Sequence, residues 1–189
     1  MRIAIGRNPF SVLLKKDFKD ITIYPEFFDD YKALIQGDYE NYVKQLWKLR
    51  NEIKFAIYPD YSTNLFVLPN NITYIFPLHF WQDRWFFSHV LKNKYNVIIG
   101  YPSDVKYKNM RNYTIQQFIA YFKNVPKWYL GISTKKKFRE ALNYNFEYCD
   151  ITLMLLGSFE QIKNYEYVKE KLKELLTIIN HPSLINFFP

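Results

Sequence analysis

The chain has 189 residues, 49% hydrophobic and 23% charged, a balance that excludes disordered and fibrous proteins and predicts one globular domain over residues 1–189. The formal net charge is +8 and Cys149 is the single cysteine, which excludes an internal disulfide and a multi-cysteine zinc site. The sequence lacks an apolar run long enough for a membrane helix and lacks a signal-peptide pattern. We therefore predict a cytoplasmic protein with no membrane partner.

Seven short runs rich in branched and aromatic residues are predicted to be β-strands, with helical stretches between them. Several predicted helices begin at good capping residues, namely Asp38, Thr114 and Thr134, and Ser158 forms a predicted capping box with Gln161 before the last helix. The predicted strands, in chain order, are Arg2–Ile5, Asp20–Tyr24, Ile53–Tyr58, Ile72–Phe76, Asn96–Gly100, Lys127–Ile132 and Ile151–Leu155, with Asn64–Leu68 as an optional eighth.

Alternating strands and helices with short connections predict right-handed crossovers and a parallel sheet. From Ile53 onward the strands are nearly continuous apolar runs, as expected when both faces of a sheet are covered. Such a sheet could be a closed barrel or an open doubly wound sheet. Because neither a GxGxxG nor a P-loop motif opens a helix, we predict an α/β fold with a compact, TIM-like (β/α) barrel, complete or incomplete.

Polar residues at the carboxyl ends of the predicted strands are the candidates for chemistry, because active sites of parallel βα folds lie there. Together these residues predict a mouth lined by carboxylates, suited to general acid–base catalysis or to attack by a carboxylate. An acid after a strand is also a common helix cap, so each one alone has a structural alternative. The candidates are Glu26, Asp60, His79, Asp83, Ser103, Asp104, Ser133, Thr134, Glu147 and Asp150.

A block of basic residues without an acid lies between Val105 and Arg139, interleaved with aromatic residues. Such a block suits contact with nucleic-acid phosphates, although lysines on helix faces can equally be ordinary solvated surface. The residues predicted to contact tRNA or DNA are Lys106, Lys108, Arg111, Lys135, Lys136, Lys137 and Arg139.

The three histidines, His79, His89 and His181, have no metal-ligand spacing, and neither a metal nor another cofactor is predicted. A metal-dependent hydrolase that uses Asp60, His79 and Asp104 remains an alternative.

The run VPKWYLGISTKKKFREALNYNFEYCDITLM resembles the end of the barrel in the tRNA-guanine transglycosylase superfamily, where a strand Tyr-Leu-Met-Gly-Val-Gly-Thr leads through a helix to Asp-Met-Phe-Asp-Cys. Laid over that motif from Gly131, Glu147 matches the first Asp and Asp150 matches the second, which is the family's nucleophile. YNVIIGYPSD resembles the strand that ends Ile-Gly-Gly-Leu, which implies that Gly100 and Tyr101 flank the bound base.

Other strands resemble the family less closely. FAIYPDYS is similar to the strand whose Asp recognises guanine, which implies that role for Asp60. Where the family has Asp-Ser-Gly-Gly-Phe, ITIYPEFF offers only Glu26 as a carboxylate, and His79 stands in the segment that replaces Gln-Gly-Gly. The family's zinc site of three Cys and one His is absent. The resemblance implies catalytic roles for Asp150, Asp60 and Glu26, and substrate-binding roles for Gly100, Tyr101, His79, Asp104, Gly131 and Glu147.

The resemblance covers about residues 53–157 and implies a divergent protein, nearer the branch that inserts deazaguanine into DNA. The implied reaction is a pentosyl transfer, in which Asp150 attacks C1′ of a nucleotide and a guanine-type or deazapurine base is exchanged in tRNA or DNA. The alternatives are an inactive nucleic-acid-binding module on the same fold, a small barrel hydrolase, and a structural or interaction protein. The oligomeric state is left open.

Overall fold

The computed structural model of the chain describes residues 1–59, 62–103, 111–181 and 183. The strands in these ranges are β1 (Arg2–Ile5), β2 (Thr22–Ile23), β3 (Phe27–Phe28), β4 (Phe55–Ile57), β5 (Thr73–Pro77), β6 (Asn96–Pro102), β7 (Lys127–Ile132) and β8 (Tyr148–Ile151). The α-helices are α1 (Ser11–Asp17), α2 (Tyr31–Gln36), α3 (Tyr39–Leu49), α4 (Lys92–Lys94), α5 (Ile115–Tyr121), α6 (Lys135–Asn143) and α7 (Tyr165–Asn180).

The eight strands of the described residues form one sheet in the order β2-β1-β8-β7-β6-β5-β4-β3. Every pair in this sheet is parallel, and the sheet curls into a nearly closed barrel with helices outside it. This confirms the predicted TIM-like barrel. The two edge strands are β2 and β3, so the barrel has a seam where these two short strands follow each other in the chain.

Aromatic side chains fill the barrel below its mouth. The indole of Trp128 is 1% exposed and stacks on Tyr148 with 5.3 Å between ring centroids and on Phe27 at 5.3 Å. Phe55 packs against Trp128 from a third strand at 5.3 Å. These rings come from β3, β4, β7 and β8, so their packing links strands that are far apart in the sheet, and aromatic pairs add to the stability that burial provides.

The capping residues predicted for three helices are confirmed. Asp38 and Thr134 accept backbone hydrogen bonds at the starts of α3 and α6, and Thr114 forms a full capping box at the start of α5. Ser158 instead precedes a single 3-10 turn, and the last helix begins after Asn164, whose side chain accepts from the third residue along. The predicted start of the last helix is therefore corrected by six residues (164 against 158).

The strand predictions fail at one end of the chain. The last strand is Tyr148–Ile151, and residues Leu153–Leu155 form a 3-10 turn rather than the strand predicted there. The run YCDITLMLL is apolar almost throughout, so its pattern does not show where the strand stops. The optional strand Asn64–Leu68 does not form, whereas β3, with only two residues, was not predicted. No helix within the described ranges is both long and apolar enough to cross a bilayer.

Gly100→Ala tests the close packing of the barrel interior. A Cβ on Gly100 would lie 2.6 Å from Leu130 Cδ1 and 3.2 Å from the carbonyl oxygen of Phe76, and a carbonyl of the sheet cannot move aside as a side chain can. We expect the change to lower the free energy of unfolding by about 1–3 kcal/mol, measured by urea denaturation. Gly6→Ala is the matched control, because its Cβ would meet nothing nearer than 4.0 Å. Equal losses in both variants would contradict the packing described here.

Candidate active site

A cavity of about 450 Å³ opens at the carboxyl ends of the strands. Its floor includes residues that end or nearly end their strands, such as Ile57, Pro77 and Pro102, and this volume is within the range of small-molecule sites. The polar residues that line it are Asp29, His79, Ser103, Gly131, Ser133, Lys137, Asp150 and Thr152. The cavity therefore lies where active sites of parallel barrels are found.

Asp150 is a buried carboxylic acid in this cavity. Its side chain projects from β8 into the barrel, and the residue is 8% exposed. The indole nitrogen of Trp128 donates to Oδ1 over 2.9 Å, and the backbone N–H of Gly131 donates to Oδ2 over 3.0 Å. Burial raises the pKa of this carboxyl to about 6, although both hydrogen bonds favour the charged form and oppose the rise.

Gly131 reaches Asp150 because β7 is irregular at this point. The register between β7 and β8 shifts between Tyr129 and Ile132, and Gly131 has a φ of +73°, a conformation that glycine adopts without steric cost. Its N–H thereby points to Asp150, while its carbonyl accepts from Ser103 Oγ over 2.7 Å. Gly131, predicted as a substrate-binding residue, lines the cavity and also fixes the carboxylate.

A second carboxylate, Asp29, lines the same cavity. It follows directly after β3, at the carboxyl end of that strand. Asp29 was not predicted as a site residue, because β3 has two residues and carries no periodic pattern. The acid pair that follows two phenylalanines in FFDD is the sequence signal that could have indicated Asp29. Asp29 and Asp150 reach one cavity from β3 and β8, strands that are not neighbours in the sheet.

A lysine and a histidine also line the cavity. Lys137 lies in the first turn of α6, and His79 follows β5 and is 8% exposed. His79 also lines a smaller adjoining cavity of about 270 Å³ together with Asp83, whose pKa is raised by burial and lowered in part by His79. The predicted role of His79 in substrate binding is consistent with this location. The cavity thus combines two carboxylates, a lysine and an imidazole.

Glu26 and Glu147 do not lie at the mouth, which corrects both predicted placements. Glu26 immediately precedes β3, and its carboxylate pairs with Lys54 at 2.6 Å and Lys15 at 3.1 Å. Glu147 precedes β8 and pairs with Lys127 Nζ at 3.3 Å. Both acids stand before their strands, at the amino end of the barrel, because β3 and β8 begin one residue later than each acid.

Gly100 and Tyr101 are not among the described residues that line the cavity. Alternation along β6 turns Tyr101 away from the barrel interior, where its ring packs on Phe118 at 5.2 Å and Tyr129 at 5.4 Å, and burial raises its pKa to about 12. Gly100 faces inward, where its missing side chain lets Leu130 approach. Both residues take part in packing, and their predicted base-flanking role stays a prediction.

Several predicted residues lie outside the described ranges, namely Asp60, Asp104, Lys106 and Lys108. Their predicted roles stay predictions, as does the alternative metal site that includes Asp60 and Asp104. Within the part of the chain that is described, three or more His, Cys, Asp or Glu side chains do not come together as metal ligands.

In the described part of the basic block, some cations pack against the protein and others are exposed to solvent. Arg111 donates to the carbonyl of Pro102 over 2.7 Å, and its guanidinium lies 4.4 Å from the centroid of the Tyr101 ring. Lys127 is 5% exposed and belongs to the amino end. The cations that remain near the mouth are at the start of α6, namely Lys135, Lys136, Lys137 and Arg139.

Comparisons with known proteins identify a viral relative. No family model matches the chain, and no solved structure matches it either. A protein of Acidianus two-tailed virus, "Uncharacterized protein ORF192", is 40% identical over 185 residues, covering 95% of this chain and 94% of the relative. The chain belongs to the family of ORF192. The name ORF192 states no activity.

The raised pKa of Asp150 predicts a specific pH dependence of stability. The folded-state pKa of about 6 exceeds the unfolded value of about 4, so the native state binds the proton more tightly. The contribution of Asp150 to the free energy of unfolding is therefore largest below pH 4 and is lost as the pH rises to about 6. Asp150→Asn cannot titrate, and its stability relative to wild type should increase across this interval by as much as about 3 kcal/mol.

Urea denaturation of both proteins between pH 4 and pH 7 measures this difference. Asp38→Asn is the matched control, because Asp38 is exposed and asparagine caps a helix about as well as aspartate. A difference between Asp150→Asn and wild type that stays constant with pH would show that Asp150 titrates normally.

Proposed function

We propose that the protein is a transglycosylase-like enzyme that holds a guanine-type nucleotide of tRNA or DNA in the mouth cavity, with Asp150 as the nucleophile at C1′ of the sugar. The observation that carries the proposal is the Asp150 carboxylate, buried and held by two donors in a cavity of about 450 Å³. The position of Asp150 in the sequence motif that resembles the family's nucleophile strand supports the same role.

The orientation of Asp150 suits covalent catalysis. Each of its oxygens accepts one hydrogen bond from the barrel wall, which fixes the carboxylate without using all of its lone pairs. With a pKa of about 6, most of the population is ionised at pH 7 and has the charge that a nucleophile requires. A group held in one orientation also loses little entropy when it reacts.

Two carboxylates allow a balanced exchange reaction. An oxygen of Asp150 bonds to C1′ as the bond from C1′ to the purine nitrogen breaks, and the electron pair leaves with the purine. We assign to Asp29 the proton that the leaving purine takes up, since Asp29 lines the same cavity. The incoming base then attacks C1′, the ester to Asp150 breaks, and the proton of the incoming base returns to Asp29. Asp29 would thus supply the catalytic carboxylate for which the resemblance offers only Glu26.

The cations at the start of α6 favour a nucleic-acid substrate over a neutral small molecule. Lys137 lines the cavity, and Lys135 and Lys136 are exposed beside it, so phosphates that flank a nucleotide in the cavity would meet positive charge. A base of a duplex must leave its stack to enter such a cavity. The cytoplasmic location predicted from the sequence is part of the same proposal.

A binding module without turnover is the second candidate. It is favoured by a departure from the family's motif, because Glu26, the acid that matches this strand in the sequence, pairs with Lys15 and Lys54 at the other end of the barrel. In this case Asp29 and Asp150 would accept hydrogen bonds from the N–H groups of a guanine-type base and perform no covalent step.

Exchange of labelled guanine into tRNA and into DNA separates these two functions. We expect exchange by the wild type, a loss of at least about 1,000-fold in Asp150→Asn because the nucleophile is removed, and a loss on the order of 100-fold in Asp29→Asn because a proton donor is removed. Asp38→Asn serves as the control and should match the wild type. Mass spectrometry after acid quenching should find a nucleotide adduct on the wild type and none on Asp150→Asn.

Nucleic-acid binding is measured on the same variants by fluorescence anisotropy, and Asp150→Asn should bind nearly as the wild type does. Equal exchange by Asp150→Asn and wild type would contradict the assigned nucleophile. Binding by the wild type without exchange would instead select the module without turnover.

A further inference from the structure

A second cleft, of about 570 Å³, lies beside α1 and is lined by none of the residues that line the mouth cavity. It opens on the outer side of the seam region, between α1 and the segment that follows β2. Four of its lining residues are cations, and no acid is among its described lining residues. The lining consists of Arg7, Asn8, Ser11, Val12, Lys15, Lys16, Lys19, Tyr24 and Pro25.

Two nearby acids form ion pairs. Asp17, in the last turn of α1, pairs with Lys169 of α7 at 2.6 Å and accepts from the hydroxyl of Tyr165 over 2.8 Å. The carboxylate of Glu26 pairs with Lys54 at 2.6 Å and with Lys15, a lysine of the cleft, at 3.1 Å. Glu26 therefore offsets the charge of Lys15, and the positive potential that would attract an anion comes from Arg7, Lys16 and Lys19.

The spacing of the cations favours a chain of phosphates over a single phosphate. The seven residues of α1 span about 10 Å, with Lys16 in the last turn, Lys19 two residues beyond the end of the helix and Arg7 in the loop before it. The ring of Tyr24, also in the lining, stacks on Phe28 at 6.0 Å and lies 5.6 Å from the guanidinium of Arg7. A positively charged groove that follows the phosphate backbone is a feature of proteins that bind single-stranded nucleic acid.

An anionic membrane surface is a weaker fit to this cleft. Val12 is 83% exposed and Leu13 is 47% exposed, which gives α1 a small apolar surface next to its lysines. A helix of seven residues has much less apolar area than the longer amphipathic helices that insert into membranes. The cations also line a concave surface rather than a flat face.

From the cleft, we propose that the surface beside α1 binds the phosphate backbone of a single nucleic-acid strand through Arg7, Lys16 and Lys19. This surface is distinct from the basic start of α6 and does not depend on the chemistry assigned to Asp150. It would hold a strand on the side of the barrel where the sheet is not closed.

Charge reversal with a matched control tests this surface. The variant Lys16→Glu/Lys19→Glu changes the net charge by the same amount as Lys32→Glu/Lys48→Glu, whose lysines are exposed on α2 and α3. Binding of a fluorescent single-stranded oligonucleotide is measured by anisotropy from 50 to 200 mM salt. Loss of two phosphate contacts should reduce the slope of log K against log salt by about 1.4 in the α1 variant, with a much smaller change in the control.

Acetylation of surface lysines followed by mass spectrometry adds a direct readout, in which the oligonucleotide should protect Lys16 and Lys19 but not Lys32 and Lys48. Equal weakening of binding in both charge-reversal variants, or no protection of Lys16 and Lys19, would overturn the proposal. So would binding of wild type through these lysines to phosphatidylserine vesicles but not to the oligonucleotide. Failure of guanine exchange would leave this result unaffected, because Asp150→Asn retains the α1 cleft.

Discussion

The buried carboxylate of Asp150 is the constraint around which the mouth of the barrel is organised. An ionised carboxylate away from water is costly unless donors compensate it, and here the indole N–H of Trp128 and the backbone N–H of Gly131 provide that compensation. Both donors belong to β7, the neighbour of β8 in the sheet. The pairing of these two strands therefore determines the orientation of Asp150 as well as the closure of the barrel.

The same two donors connect the site to the rest of the molecule. Trp128 is stacked between Tyr148 and Phe27, so the indole that holds Asp150 is itself fixed by the aromatic packing of the interior. Gly131 is held by Ser103 at the end of β6. A rigid support of this kind keeps a reactive group in one orientation, and it explains why the polar groups of the cavity can come from strands that are far apart in the sheet.

The fold could be predicted from the sequence because most strands are apolar runs with capped helices between them, as at β1 and β7, whose predicted and observed bounds agree. The candidate site could be predicted only in part. Asp150 and Gly131 line the cavity, but Glu26 lies between β2 and β3, one residue before β3, and Glu147 lies one residue before β8. This error was possible because the strands are short. When a strand has only two to four residues, an error of a few residues in its predicted bounds places a residue at the opposite end of the barrel.

Neither the location of Asp29 nor the register shift at Gly131 could be predicted from the hydrophobic pattern of the sequence. The strand before Asp29 has two residues, too few for a period to be visible. The register shift depends on the positive φ of Gly131 and on the partner that its N–H finds in β8, which are properties of the pairing and not of either segment alone. Tyr101 shows the same limit, since its packing against Phe118 of α5 and Tyr129 of β7 follows from the alternation of β6 within the assembled barrel.

A direct titration of the Asp150 carboxyl tests the central claim, that this group is buried and that burial raises its pKa. Aspartate labelled with ¹³C at the carboxyl carbon allows NMR to follow each side chain with pH, and the Asp150 resonance is assigned by its absence from Asp150→Asn. The account predicts a midpoint of about 6 for this resonance. A midpoint at or below the ordinary value of about 4 would contradict the account.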